Sequence, residues 1–146
     1  MRKLVSLIVG VLMLQSCNDF GTEPLPGLAL STSGERFVVS QAIHVTVSNH
    51  SETVLRSPSC CGENPHFLIQ MRIRGAWELS SENVDCSVYD CPPGIATFKP
   101  NEPVVRTVTI TQPGHCRLLL QYFEKERPDS SYPAYSNEFD VVESGH

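Results

Sequence analysis

Cysteine is the residue type in this chain with the most chemistry open to it. It occurs six times, as Cys17, Cys60, Cys61, Cys86, Cys91 and Cys116. Thiols in such clusters serve as disulfide partners or as soft metal ligands. Cys60, Cys61, Cys86 and Cys91, joined by His66, would supply enough donors for zinc or cuprous copper. Their spacing points elsewhere, because Cys86-x4-Cys91 is not the close pairing of a zinc ribbon. A blue-copper centre fails on order, since His115 precedes Cys116 and no methionine follows. Disulfides are therefore the preferred reading, with no metal and no cofactor expected. Four cysteines permit three pairings, a vicinal Cys60–Cys61 bridge among them.

Other reactive constellations are missing. The chain has no Gly-x-Ser-x-Gly elbow, no His-Glu-x-x-His pair, no phosphate-cradling glycine loop and no Cys-x-x-Cys-His. The expectation is a protein that is not an enzyme. His44 and His50 flank a strand and a turn, where a solvated imidazole is the simple reading, and Glu124-Lys125-Glu126-Arg127 reads as the solvated end of a hairpin. With 11 Lys+Arg against 16 Asp+Glu, the net charge of −5 leaves no basic stripe to neutralise phosphates, so nucleic acid is excluded as a partner.

The N-terminus reads as an address. Met1-Arg2-Lys3 is positively charged, and Leu4 to Leu14 is apolar apart from Ser6 and Gly10. That run is shorter than the ~20 apolar residues needed to span a bilayer, and it fits the h-region of a secretory signal. The following Leu14-Gln15-Ser16-Cys17 resembles the lipobox of bacterial lipoproteins, although Gln15 departs from the commoner small or aliphatic residue. The resemblance implies cleavage after residue 16, lipidation of Cys17, and attachment to the membrane through that lipid. Two or three acyl chains at ~0.8 kcal/mol per buried methylene anchor a protein durably. Asn18, where an Asp would signal retention in the inner membrane, implies the outer membrane in a cell that has two. Loss of residues 1–16 leaves 130 residues with a net charge of −7. Residues 17–27, rich in Pro and Gly, read as the lipidated cysteine and a tether.

From Leu28 onward the apolar pattern has period two. Ile43, Val45 and Val47 alternate with His44, Thr46 and Ser48. Phe67, Ile69, Met71 and Ile73 alternate with Leu68, Gln70, Arg72 and Arg74, and Arg74-Gly75 turns the chain into Trp77-Glu78-Leu79 as a hairpin. Val104, Arg106, Val108 and Ile110 share one side of another β-branched run. Pro113-Gly114 leads into Cys116, Leu118, Leu120 and Tyr122, and Phe139, Val141 and Val142 close the domain. Pro128 to Pro133 reads as a polar hairpin loop. About seven short strands between turns, with no helical periodicity, predict an all-β antiparallel sandwich over residues 28–143. The 40% hydrophobic content is enough to build its core.

Several short motifs carry a family resemblance. They are Val47-Ser48-Asn49, Cys61-Gly62, Gly75-Ala76-Trp77, Lys99-Pro100-Asn101-Glu102, the run Pro113 to Leu118, and the run Tyr135 to Val141. Together they resemble the single immunoglobulin-like domains of small secreted bacterial lipoproteins akin to the BsuPI group, over residues 28–142. Cys116 departs from that family's pattern, since it takes the place of a packing tyrosine.

The resemblance implies a Cys61–Cys86 pair, with Cys60–Cys91 as an additional bridge. The residues themselves say less. Cys60/Cys61 and Cys86/Cys91 fall in stretches that read as loops on either side of one hairpin, and export favours oxidation. Cys116, in alternation with Leu118 and Leu120, is then a buried free thiol. The functional expectation is a non-catalytic lipoprotein of the bacterial cell envelope that meets a protein partner, or serves envelope assembly, through residues 58–65 and 84–95. A proteinase inhibitor, implied by the BsuPI resemblance, is the alternative, and a Cys/His metal-binding lipoprotein comes third.

Overall fold

The computed structural model describes residues 27–83 and 90–145. Every regular element among them is a strand, twelve in all, and none of the described residues forms a helix long and apolar enough to cross a membrane. The expected signal segment, Cys17, and the tether up to residue 26 lie outside the described residues, as does Cys86.

The β-branched alternation around Ile43 becomes β3 (Ala42–Asn49), whose Ile43, Val45 and Val47 are buried while His44 is exposed. This strand pairs antiparallel with β1 (Leu28–Thr32) on one side and β9 (Val104–Thr109) on the other, giving a three-stranded sheet. The second sheet has nine strands and is organised by β10 (Gly114–Glu124). The first part of β10 pairs with β12 (Phe139–Val142), and its middle pairs with β6 (Leu68–Ile73). Its last part pairs with β11 (Arg127–Tyr135) and β4 (Leu55–Cys61). Further out, β7 (Ala76–Leu79) pairs with β6, while β5 (Asn64–Pro65) and β8 (Gly94–Phe98) pair with β4. The short β2 (Arg36–Val38) lies parallel to β12.

The core divides as β10 does. Near the start of β10, Ile43 and Val45 from the smaller sheet meet Ile69, Cys116, Leu118, Phe139 and Val141 from the larger one. Toward its end, Leu28, Leu30 and Val47 meet Leu55, Ala96, Phe98, Leu120 and Ala134. Each cluster draws on both sheets, as expected for an all-β, sandwich-like arrangement. Fully burying one such side chain contributes ~1.5–3 kcal/mol.

Buried Asn49 closes one end. Its Nδ2 donates to the carbonyls of Thr53 (2.8 Å) and Phe98 (2.9 Å), and its Oδ1 accepts from Ser51 N (2.9 Å) and Ser51 Oγ (2.7 Å). The amide group is thus fully used, which makes its burial tolerable. At the same end Gly27 packs against the Tyr122 hydroxyl, leaving no room for a side chain, and its carbonyl accepts from His50 N at 3.1 Å.

Twelve strands replace the expected seven or so because residues 28–32, 36–38 and 94–98, to which no strand was assigned, form strands, and so do two stretches that read as loops. Residues 58–61 are the end of β4, and 64–65 form β5. Residues 128–133 lie within β11, and the chain reverses at Lys125-Glu126 instead. β11 pairs with β10 alone among the described residues, so Pro128 and Pro133 sit on an edge strand, where a missing N–H is tolerated. Its polar composition reflects an exposed edge.

Candidate functional site

Strand register gathers a group of long side chains on the outer face of the larger sheet. Arg72 is opposite Trp77, Gln70 is opposite Arg117, His115 is opposite Asp140, and Leu119 is opposite Tyr135. The Arg74-Gly75 turn sets part of this register. Both residues have positive φ, 51° and 87°, the type I′ geometry that suits the twist of a two-residue hairpin.

Arg117 is the centre of the group. Its Cζ lies 4.3 Å from the Trp77 ring centroid and 4.2 Å from that of Tyr135, and its Nε donates to Gln70 Oε1 at 2.8 Å. Each cation–π contact contributes about 0.5–1 kcal/mol at an exposed site. The guanidinium is held between the two rings, and its other N–H donors are free of hydrogen bonds to the described residues. Arg72 approaches the same indole at 5.8 Å.

His115 stacks on Trp77 with centroids 5.8 Å apart and planes 29° apart. Its Nδ1 lies 2.8 Å from Asp140 Oδ1, and its Nε2 lies 2.8 Å from Glu138 Oε2. Hydrogen bonding to Asp140, then to Glu138, raises the imidazole pKa above its ordinary value, against a smaller opposing effect of desolvation. The neighbouring chain is pinned. Ser136 Oγ accepts from Leu118 N at 2.9 Å, and the Asn137 side chain bonds Thr32 N and Oγ1, both at 2.8 Å.

With both its nitrogens engaged, His115 is not set up as a general base. The arrangement instead offers a rigid surface of stacked rings and guanidinium, rimmed by exposed Leu79. Sequence reasoning placed Trp77 and Tyr135 in strands or motifs without giving them a role, and it considered His115 only as a copper ligand. The outward parity of Arg72, Arg117 and Asp140 was the available signal, but only strand register shows that they meet.

The cysteines lie elsewhere on the same sheet. Cys61 is joined to Cys91, with Cα atoms 5.6 Å apart, and Cys60 is also disulfide-bonded. This corrects the expected Cys61–Cys86 and Cys60–Cys91 pairing. The reason lies in the β4–β8 ladder, where Ser59 is opposite Gly94, so the register carries Cys91 toward Cys61. The lack of a side chain at Gly94 lets the Gly62 carbonyl come close. Cys60 and Cys61 belong to β4 rather than to a loop. Of the expected contact stretch 84–95, residues 84–89 fall outside the described residues, and Gly94 and Ile95 belong to β8.

Cys116 is a free thiol with no exposed surface, and burial pushes its pKa up to about 11. Among the described residues, no group of three or more His, Cys, Asp or Glu is placed to hold a metal ion. A cleft of about 250 Å³ lined by His66, Phe67, Glu82, Asn83, Thr107 and Val108 opens elsewhere. Its acid and amide are structural braces. Glu82 accepts from Thr111 N (2.8 Å) and Gln112 N (2.6 Å), while Asn83 bonds both backbone groups of Ile69.

No family model matches the chain, and no curated protein matches it. Among solved structures, it is similar to the CARDB domain of the PF1109 protein from Pyrococcus furiosus. A solution structure of that domain has TM-score 0.36 and 16% identity, over 82% of this chain and 98% of that one. A crystal structure in complex with di-metal ions has TM-score 0.36 and 18% identity, over 82% and 96%. AvmM, which catalyses macrocyclization in alchivemycin A biosynthesis, follows with TM-score 0.31 and 10% identity, over 82% and 89%. Likenesses at this level are loose, and neither metal binding nor macrocyclization carries over to this chain.

Proposed function

We propose that this is a non-catalytic, lipid-anchored protein of the bacterial cell envelope, lipidated at Cys17, whose immunoglobulin-like domain binds a protein partner. The contact surface in this reading is the outer face of the larger sheet, not the cysteine-bearing stretches. The observation that carries it is Arg117 held between Trp77 and Tyr135 on an exposed sheet face. Aromatic residues and arginine are the side chains most enriched at the energetic centres of protein interfaces. Holding them rigid in advance lowers the entropy lost on binding.

The position of residue 27, the first described residue, supports the same reading. Residue 27 packs against Tyr122 near the end of β10, whereas His115 and Arg117 stand near its start. At ~3.4 Å per residue, His115 and Tyr122 are separated by roughly 24 Å along the strand. A chain anchored through residues 17–26 therefore has its aromatic–arginine group toward the other end.

Two measurements on the protein expressed in a bacterial host test this. Cys17→Ser is expected to shift the protein out of the membrane fraction; a variant that fractionates as the parent does would defeat the anchor. A photo-crosslinking residue at Leu79 is expected to give discrete adducts that one at Val105, on the smaller sheet, does not. Equal or absent adducts at both positions would defeat the binding face.

A further inference from the structure

His115 engages two carboxylates that come from different parts of the chain. Asp140 stands opposite it on β12, while Glu138 lies in the segment leading into that strand. A neutral imidazole has one N–H and one lone pair, so it satisfies one carboxylate and turns its lone pair on the other. An imidazolium donates to both. Other charged groups face this corner from each neighbouring strand. Arg72 of β6 reaches Glu138 Oε2 at 3.9 Å, Arg36 of β2 is in register with Asp140, and Arg117 follows on the same face of β10. From β7, the Trp77 ring lies against the imidazole.

We propose that His115 is a proton-operated clamp, fastening the segment that leads into β12 to β10 when charged and releasing Glu138 when it loses its proton to solvent. Glu138 is the partner released. Asp140 is held opposite His115 by the strand ladder, whereas Glu138 is outside any strand and has Arg72 as an alternative partner. The exchange alters the charges around Trp77, so the state of the proton is passed to the aromatic–arginine group. The inference stands on this corner alone and is independent of what the face binds.

The direction of the linkage is fixed. The folded pKa is raised, so the clamp's contribution to stability is full below the unfolded-state value of ~6.5 and is lost as pH rises through the folded value. Trp77 is the single tryptophan, so its emission reports on this corner without labelling.

The experiment titrates Trp77 emission of the full-length protein from about pH 5 to 9, alongside the His115 ring resonances by NMR. The expected result is one shared midpoint, above the ordinary histidine value. His115→Gln should abolish the emission step, and Glu138→Gln and Asp140→Asn should each lower the His115 midpoint. The unfolding midpoint of the parent should exceed that of His115→Gln at acidic pH, with the gap closing above the His115 midpoint. A His115 midpoint at or below the ordinary value would overturn the clamp. So would an emission step that persists in His115→Gln, or a midpoint that neither carboxylate variant moves.

Discussion

On the smaller sheet the outward residues of paired strands are short or isolated. His44 and Thr107 face each other at 3.4 Å, and Thr46 and Val105 stand opposite one another with no ring or ion pair between them. On the larger sheet the same alternation brings out Trp77, Arg72, Arg117, His115, Asp140 and Tyr135, which stack and bond across five strands. Both sheets follow the same inward rule, with aliphatic and aromatic residues on the core. Alternation therefore explains the fold of both sheets but does not tell which outer face carries chemistry. That difference comes from long side chains on adjacent strands, brought level by register.

The largest expected effect tests whether the outer group depends on the core beneath it. Phe139 is 1% exposed and meets Phe37 edge-to-face at 5.5 Å, directly after Glu138 in the chain. Phe139→Ala is expected to destabilise by about 3–5 kcal/mol. Denaturant unfolding measures the loss, and a simultaneous change in Trp77 emission of the folded state would show that the face relies on this packing.

Next comes the bridge, which lies on the larger sheet but away from the aromatic group. Cys61 and Cys91 are separated by 30 residues, and closing such a loop contributes roughly 3–4 kcal/mol in the chain-entropy model. A Cys61→Ser, Cys91→Ser double variant should lower the unfolding midpoint accordingly while leaving Trp77 emission unchanged. In the parent, Cys116 should resist alkylation until the protein is denatured, because it is buried and its thiol pKa is pushed up to about 11.

The smaller sheet gives the contrasting case. Asn49→Ala removes the amide that joins the end of β3 to Thr53 and Phe98, so the buried hydrogen bond to the Phe98 carbonyl is lost and Ser51 N loses its side-chain acceptor. A loss of about 1–3 kcal/mol is expected, again with no change at Trp77. An emission change here would mean that the two faces are coupled through the core.

Legibility in the sequence follows the same division. The strand around Ile43, the turn at Arg74-Gly75 and the run from Val104 are legible because local chemistry specifies them. The stretches 58–65 and 128–133 were misread because Pro and Ser suggest turns, whereas Pro58 and Pro133 sit within β4 and β11. Leu119 departs from simple alternation, being buried on the outward side of β10 with Leu68 and Tyr135 opposite it. The aromatic–arginine group was not legible as a whole: the hairpin sets Trp77 opposite Arg72, but their meeting with residues 115, 117 and 135 depends on pairing of β6 with β10, strands distant in sequence.

The smallest expected effect sharpens the comparison most finely, because it acts on register alone. Arg74 has φ of 51° without being glycine, a conformation that costs an ordinary L-residue roughly 1–2 kcal/mol. Asparagine tolerates this region better, and Asn-Gly is the favoured pair for a two-residue type I′ hairpin. The Arg74 side chain is exposed and enters no ion pair among the described residues, so little is lost by replacing it. Arg74→Asn is therefore expected to stabilise by up to about 1 kcal/mol, read as a small rise in the unfolding midpoint. Its informative readout is Trp77. If the turn holds Trp77 opposite Arg72 and beside His115, the variant should keep the parent's emission and its dependence on pH. A stabilised protein with altered Trp77 emission would show that Arg74 contributes to the outer face directly, and the contrast between the two sheets would then begin one residue earlier, at the turn itself.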